Sequence, residues 1–285
     1  MPPPRSLIRA HPQLTYFALV FALSWGGVLW VVGPGGFPGA EEEFGRLLPL
    51  VVLAMLAGPS VAGVLMTGLV HGRAGLQELR ARLLLWRVGA RWWAVALLAA
   101  PLVVAGTLFA LSLASQVFLP GIVTTEEPAS HLLLGMVTGL AAGLFEELGW
   151  TGFAVPGLRR RFGVLATGLL VGLPWGAWHL LVTWWGSSST LGALPLAVYL
   201  PALAFSFLPP YRVLMVWVYD RTGGSLLVAM AMHASLTASV RIFDPLAIAG
   251  LPLVTYNLVL GGVLWGVVGG IGLVRRGLGS PVQQD

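Results

Sequence analysis

Glu146 and Glu147 stand side by side at the end of an apolar run, Leu132 to Phe145, and no other pair in the chain is so well placed for chemistry. At 1.5 Å per residue, Glu146 lies roughly 20 Å from either end of its segment, too deep for its side chain to reach a membrane surface. Insertion scales charge an acid at such depth about 2.5–3.5 kcal/mol, so two together need partners or an aqueous cavity. Adjacent positions on a helix point about 100° apart, which turns one carboxylate toward a cavity and the other toward a neighbouring helix. Of the five histidines, His179 in Trp175-Gly-Ala-Trp178-His179 and His233 in His233-Ala-Ser235-Leu-Thr237 fall well inside apolar stretches. Residues four apart share a helix face, so Trp175 sits beside His179 and Thr237 beside His233.

A carboxylate to take a proton from water, an imidazole to hold that water, and a second imidazole with a hydroxyl neighbour to steady an oxyanion are the equipment for amide hydrolysis. Two histidines and a glutamate also describe an open zinc site with a fourth position for water. The residues alone leave both versions open. Buried Glu and His build proton relays as well, so a proton-coupled transporter is a rival of a different class.

Other chemistries leave no mark. There is no cysteine, and therefore no thiol nucleophile, thiolate metal site or disulfide. No His-Glu-x-x-His run occurs, and Asp220 and Asp244 fall in or near loops, which argues against an aspartyl dyad. Ser235 is two residues from His233, a spacing that points the two side chains apart on a helix. Trp175, Trp178, Trp184 and Trp185 read as packing and interface anchors, Arg159 to Arg161 as a topological anchor, and a single membrane histidine can be no more than a bond between helices.

The elements that must position these groups are membrane helices. Only 9% of the 285 residues are charged and 57% are hydrophobic, which cannot make a soluble surface. The apolar residues come in blocks of roughly 18–25, enough to cross a hydrocarbon core of about 30 Å as helix. Blocks such as 47–70 and 92–113 are apolar all round, without the two-residue alternation of a membrane barrel. The expected fold is all-α: a polytopic integral membrane protein in one transmembrane domain, residues 1–285, with eight helices around a buried polar cavity. The spans are placed at about 14–33, 47–70, 92–114, 131–157, 164–185, 191–208, 224–242 and 251–274. The first of these reads as a retained span rather than a signal peptide, because it leads into Gly-Pro-Gly-Gly.

With eight spans, one side receives Arg5, Arg9, Arg73, Arg80, Arg82, Arg87, Arg91, Arg159 to Arg161, Arg212, Arg221, Arg275 and Arg276, and the other only Arg46 and Arg241. Glu41 to Glu43, Glu126, Glu127 and Asp244 fall on the arginine-poor side. The positive-inside rule then makes both termini cytoplasmic in a multi-pass cell-membrane protein. The net charge of +5 is carried by arginine alone and reports anionic lipid rather than nucleic acid. Residues 76–93 read as a basic amphipathic helix on the cytoplasmic face, and 209–220, with its Pro-Pro start, as a half-helix or interfacial turn.

Three motifs in order, Glu146-Glu147-Leu-Gly-Trp-Thr-Gly-Phe-Ala-Val-Pro-Gly-Leu, Trp-x-x-x-His ending at His179, and His233-x-x-x-Thr237, resemble the CAAX-protease and bacteriocin-processing (CPBP, or Abi) family of intramembrane endopeptidases. The resemblance covers a core of about 130–243. It implies that Glu146 and His179 activate water, that His233 binds an oxyanion or a metal such as zinc, that Glu147 supports the site, and that the substrate is a peptide or membrane-tethered protein. Two positions depart from the pattern: Thr151 replaces the usual arginine of the first motif, and Thr237 the usual asparagine of the third. Threonine offers one donor where the asparagine amide offers two, which keeps a non-enzymatic immunity or scaffold protein as an alternative.

Overall fold

The computed structural model describes residues 8–274, and among these there are helices and no strands. The long helices are α1 (Pro12–Val32), α2 (Glu41–Leu83), α3 (Ala90–Ser112), α4 (Pro128–Gly149), α5 (Val164–Trp185), α6 (Leu196–Phe205), α7 (Leu208–Arg221), α8 (Leu226–Phe243) and α9 (Gly250–Val274). With α6 and α7 taken as one interrupted crossing, eight of the described segments are long and apolar enough to span a membrane. The chain is a multi-pass membrane protein, as the apolar blocks require. Arg5, Arg275 and Arg276, which the charge pattern places on the cytoplasmic side, lie outside the described residues.

Helix ends follow local chemistry. Prolines open α1, α4 and α7, where a missing N–H costs nothing, and the Ser225 side chain caps α8 by accepting from Val228 N. Glu41, Glu42 and Glu43 fill the first turn of α2 while Arg80 and Arg82 occupy its last, matching the helix dipole at both ends.

Three expectations need correction. The basic segment 76–93 is not one surface helix: α2 bends at Gly72, whose φ of 63° favours glycine, and continues to Leu83, after which the chain turns and α3 begins at Ala90. Residues 209–220 are not an interfacial turn but the helical second part of the interrupted crossing. They form most of α7, which is packed into the bundle along nearly its whole length because Val213, Met215, Val216 and Val218 give it apolar faces in several directions. Consequently Arg212 is not a loop arginine but a completely buried one.

Two glycine stripes set the register around the polar residues. Gly135, Gly139 and Gly143 lie four apart on α4 and press against α8; a Cβ at Gly139 would come 2.4 Å from Ala234 O, and one at Gly143 2.4 Å from Met230 O. Glu147 is the next position on that stripe, which delivers it to α8. Gly168, Gly172 and Gly176 do the same for α5 against α7 and α6, with a Cβ at Gly172 only 2.9 Å from Pro209 Cα. Close backbone approach of this kind leaves the larger neighbouring side chains, Trp175 and His179, to face the centre of the bundle.

Candidate active site

Glu146 and Glu147 do point different ways. Glu147 is fully buried and meets three groups from three helical segments: Arg212 NH1 donates to its Oε2 at 2.7 Å, His233 Nδ1 lies 2.6 Å from its Oε1, and Thr151 Oγ1 donates to Oε2. Glu146, one position back, lines a cavity and accepts from the indole N–H of Trp175 at 2.8 Å. A π-helical turn, Trp150–Ala154, follows immediately and carries Thr151 round to the Glu147 side.

The hydrogen bonds assign the imidazole tautomers. A carboxylate paired with a guanidinium can only accept, so His233 Nδ1 carries the proton toward Glu147. His233 Nε2 then faces Glu146 Oε2 at 3.9 Å, too long for a direct bond and suited to a bridging water. His179 Nδ1 lies 2.8 Å from the Trp175 carbonyl, which also can only accept, so this ring too turns Nε2 away from its anchor. Trp175 packs edge-on against both imidazoles, with ring centroids 5.8 Å from His179 and 5.1 Å from His233.

Glu146, His179, His233 and Thr237 all line one cavity of about 890 Å³, and its remaining walls are mostly apolar. Ser235 takes no part: its hydroxyl donates to Leu97 O at 2.9 Å, on α3. Helices α2 and α4 are held together where Ser60 Oγ donates to Phe145 O and where Gly63 abuts Gly149. Beyond those contacts the cavity lies between the two helices, and Val52, Leu134 and Val137 belong both to its wall and to the lipid-facing surface.

Sequence reasoning missed Arg212. Its NH1 is 3.5 Å from Thr151 Oγ1, and its guanidinium lies 4.1 Å from the centroid of the Trp175 ring, a cation–π contact. Nε and NH2 find no acceptor among the described residues. One cation from α7 thus touches the partners of both carboxylates, and it stands next to the position where the motif leads one to expect arginine and the chain has Thr151. Its sequence signal was a charge in an apolar stretch following Pro209-Pro210, disguised by nearby Asp220 and Arg221 as a loop. Arg159, which the sequence offers as part of a topological anchor, is buried and bridges to Asp220 at 2.6 Å.

The donor set does not make a three-ligand metal site. Among the described residues no group of three His, Cys, Asp or Glu side chains is arranged to hold an ion. Glu147 is already taken by Arg212, Thr151 and His233, which leaves Glu146 beside the Nε2 of one ring.

Residues 128–239 match the family model described as type II CAAX prenyl endopeptidase Rce1-like. The CAAX prenyl protease 2 of Methanococcus maripaludis is 26% identical over 94 residues, which are 33% of this chain and 35% of that relative. The chain therefore spans about a third of the length of the curated relative it matches. Both findings bear out the resemblance read from the three motifs, and the match covers the elements that carry Glu146, Glu147, His179, Arg212, His233 and Thr237.

Proposed function

We propose, from the premise that residues 128–239 are an Rce1-like core, that this chain is an intramembrane endopeptidase that hydrolyses a peptide bond with water activated at Glu146. The observation that carries the reading is the 3.9 Å gap between Glu146 Oε2 and His233 Nε2 at the closed end of a cavity large enough for a peptide segment. A water held in that gap gives its proton to the Glu146 carboxylate as its oxygen attacks the scissile carbonyl carbon. The carbonyl oxygen takes up the negative charge, and the Thr237 hydroxyl at the cavity wall donates to it. When the C–N bond breaks, Glu146 returns the proton to the leaving amine, so the carboxylate ends as it began.

Glu147 acts on the chemistry through His233, whose ring it holds by Nδ1, and Arg212 fixes Glu147 in turn. Arg212 beside Thr151 answers the first departure from the motif, because a guanidinium is present there although the residue at 151 cannot supply it. This weighs against the non-enzymatic reading. The transporter reading needs a path gated on both sides, whereas past Glu147 the bundle is filled by Trp150, Tyr211, Arg212 and Met215, all buried.

The substrate class is a peptide or membrane-tethered protein. Purified protein reconstituted in lipid, incubated with a library of membrane-anchored peptides, is the test. Cleavage by the wild type and none by Glu146→Gln supports the reading, and a library left intact by the wild type overturns it.

A further inference from the structure

The cavity occupies only one half of the bundle's depth. On α4 its wall runs from Leu134 to Glu146 and stops there; on α5 it begins at Trp175, and on α8 at His233. Helix α2 contributes from Phe44 to Leu56, its first third, and α9 from Leu253 to Leu260, its first half. Each of these stretches lies toward the same end of the bundle, the end reached by the start of α2, α4 and α9 and the finish of α5 and α8. Arg241 and Asp244 stand at that mouth. Glu146 and His233 form the floor, and the other half of the depth holds a separate, much smaller pocket of about 90 Å³ whose lining, His71, Arg82, Phe153 and Arg160 among it, includes neither of them.

That open end is the arginine-poor one. Because Arg212 is buried rather than in a loop, the described arginines that remain at the opposite end include Arg73, Arg80, Arg82, Arg87, Arg91, Arg160 and Arg221. The open end has Arg46 and Arg241 against Glu41 to Glu43, Glu126, Glu127 and Asp244. Arginines near span ends are retained on the cytoplasmic side, where the leaflet is anionic.

We infer that the substrate cavity empties into the extracytoplasmic half of the membrane, so that the scissile segment belongs to a membrane-anchored polypeptide presented from outside the cytoplasm. The inference rests on the endopeptidase reading of the cavity for the word substrate, and on the charge asymmetry for the side. A chain entering this cavity meets Arg241 and Asp244 at the rim, apolar walls for its side chains, and Glu146 only after crossing about half the bilayer. Segments confined to the cytoplasmic loops meet the arginine-bearing end, whose small pocket does not reach Glu146.

The absence of native cysteine makes the side directly measurable. Single-cysteine variants Leu246→Cys in the loop at the open end, Thr138→Cys in the cavity wall, and Gln77→Cys on the arginine-bearing arm of α2 are expressed in bacterial cells. Each is treated with a charged, membrane-impermeant methanethiosulfonate before and after permeabilisation. The expected result is labelling of Leu246→Cys and Thr138→Cys in intact cells, with Gln77→Cys labelled only once the membrane is breached. Labelling of Thr138→Cys only together with Gln77→Cys, or no labelling of it from either side while denatured protein labels fully, overturns the inference. Because the readout needs no catalysis, loss of peptide cleavage in Glu146→Gln and the side of cavity access are decided separately.

Discussion

Arg212 NH1 and Glu147 Oε2, 65 positions apart in sequence, meet at 2.7 Å with neither side chain exposed at all. Taking two charges out of water is costly, and the pair's mutual attraction recovers that cost only while both members are present. Arg212→Ala is therefore expected to destabilise the bundle by about 3–5 kcal/mol, because it leaves a buried carboxylate uncompensated. The double variant Arg212→Met/Glu147→Gln removes both charges, and its thermal stability in detergent should recover toward wild type while cleavage stays lost. Recovery of cleavage in the double variant would show that the pair does not serve the reaction.

The two neighbouring glutamates should separate in experiment although they are adjacent in sequence. Glu146 faces a cavity and Glu147 a buried cation. Glu146→Gln keeps shape and hydrogen-bonding capacity, so its melting temperature should match wild type while turnover falls by at least about 100-fold through loss of the proton acceptor. Glu147→Gln should instead lower the melting temperature, since it leaves Arg212 unpaired. Equal effects of both on stability would contradict the division of roles.

Trp175 links the site's two arms, donating to Glu146 through Nε1 and stacking under Arg212 through its ring. Trp175→Phe retains a ring for the cation and loses the donor alone. A hydrogen bond to a charged group contributes about 1.5–3 kcal/mol, so if it orients the carboxylate in the transition state kcat should drop roughly 10–100-fold. The fold should survive, because the packing against His179 and His233 is kept. An unchanged kcat would mean that Glu146 is held by other contacts.

The parts legible in sequence were those with strong one-dimensional signals. Apolar blocks of spanning length gave the number of crossings, and acids in the middle of such a block could be explained only by buried partners. The four-residue spacing of Gly135, Gly139 and Gly143 and of Gly168, Gly172 and Gly176 is plain in the sequence, but which helix each stripe faces is not readable there. Arg212 stayed hidden because its meaning depends on Glu147 in another helix, and because Pro209, Pro210, Asp220 and Arg221 give its segment the composition of a loop. The bend at Gly72 was also invisible, since a glycine among helix formers has the same letter whether or not it turns the chain. The one-sided depth of the cavity needed the helices' relative placement, which no local pattern encodes.

Asp244 lies in the loop after α8, where Tyr256 Oη donates to its Oδ1 at 2.8 Å. Burial pushes this carboxyl up from the ordinary 3.8 to about 7, against the lowering effects of the Tyr256 hydrogen bond and the Arg241 charge. A raised carboxyl value means that the folded state holds a proton the unfolded chain has already released. The stability this supplies is full below the ordinary value, declines as pH rises through the interval between 3.8 and about 7, and is absent above it. The apparent melting temperature of the wild type should therefore fall between pH 5 and pH 8, the two ends of the titration to be measured, roughly bracketing the interval's upper part. Asp244→Asn is uncharged throughout and keeps a carbonyl oxygen to accept from Tyr256, so its melting temperature should lose that component of the slope. A wild-type melting temperature that rises over the same range, or an asparagine variant with an undiminished slope, would place the titrating group elsewhere.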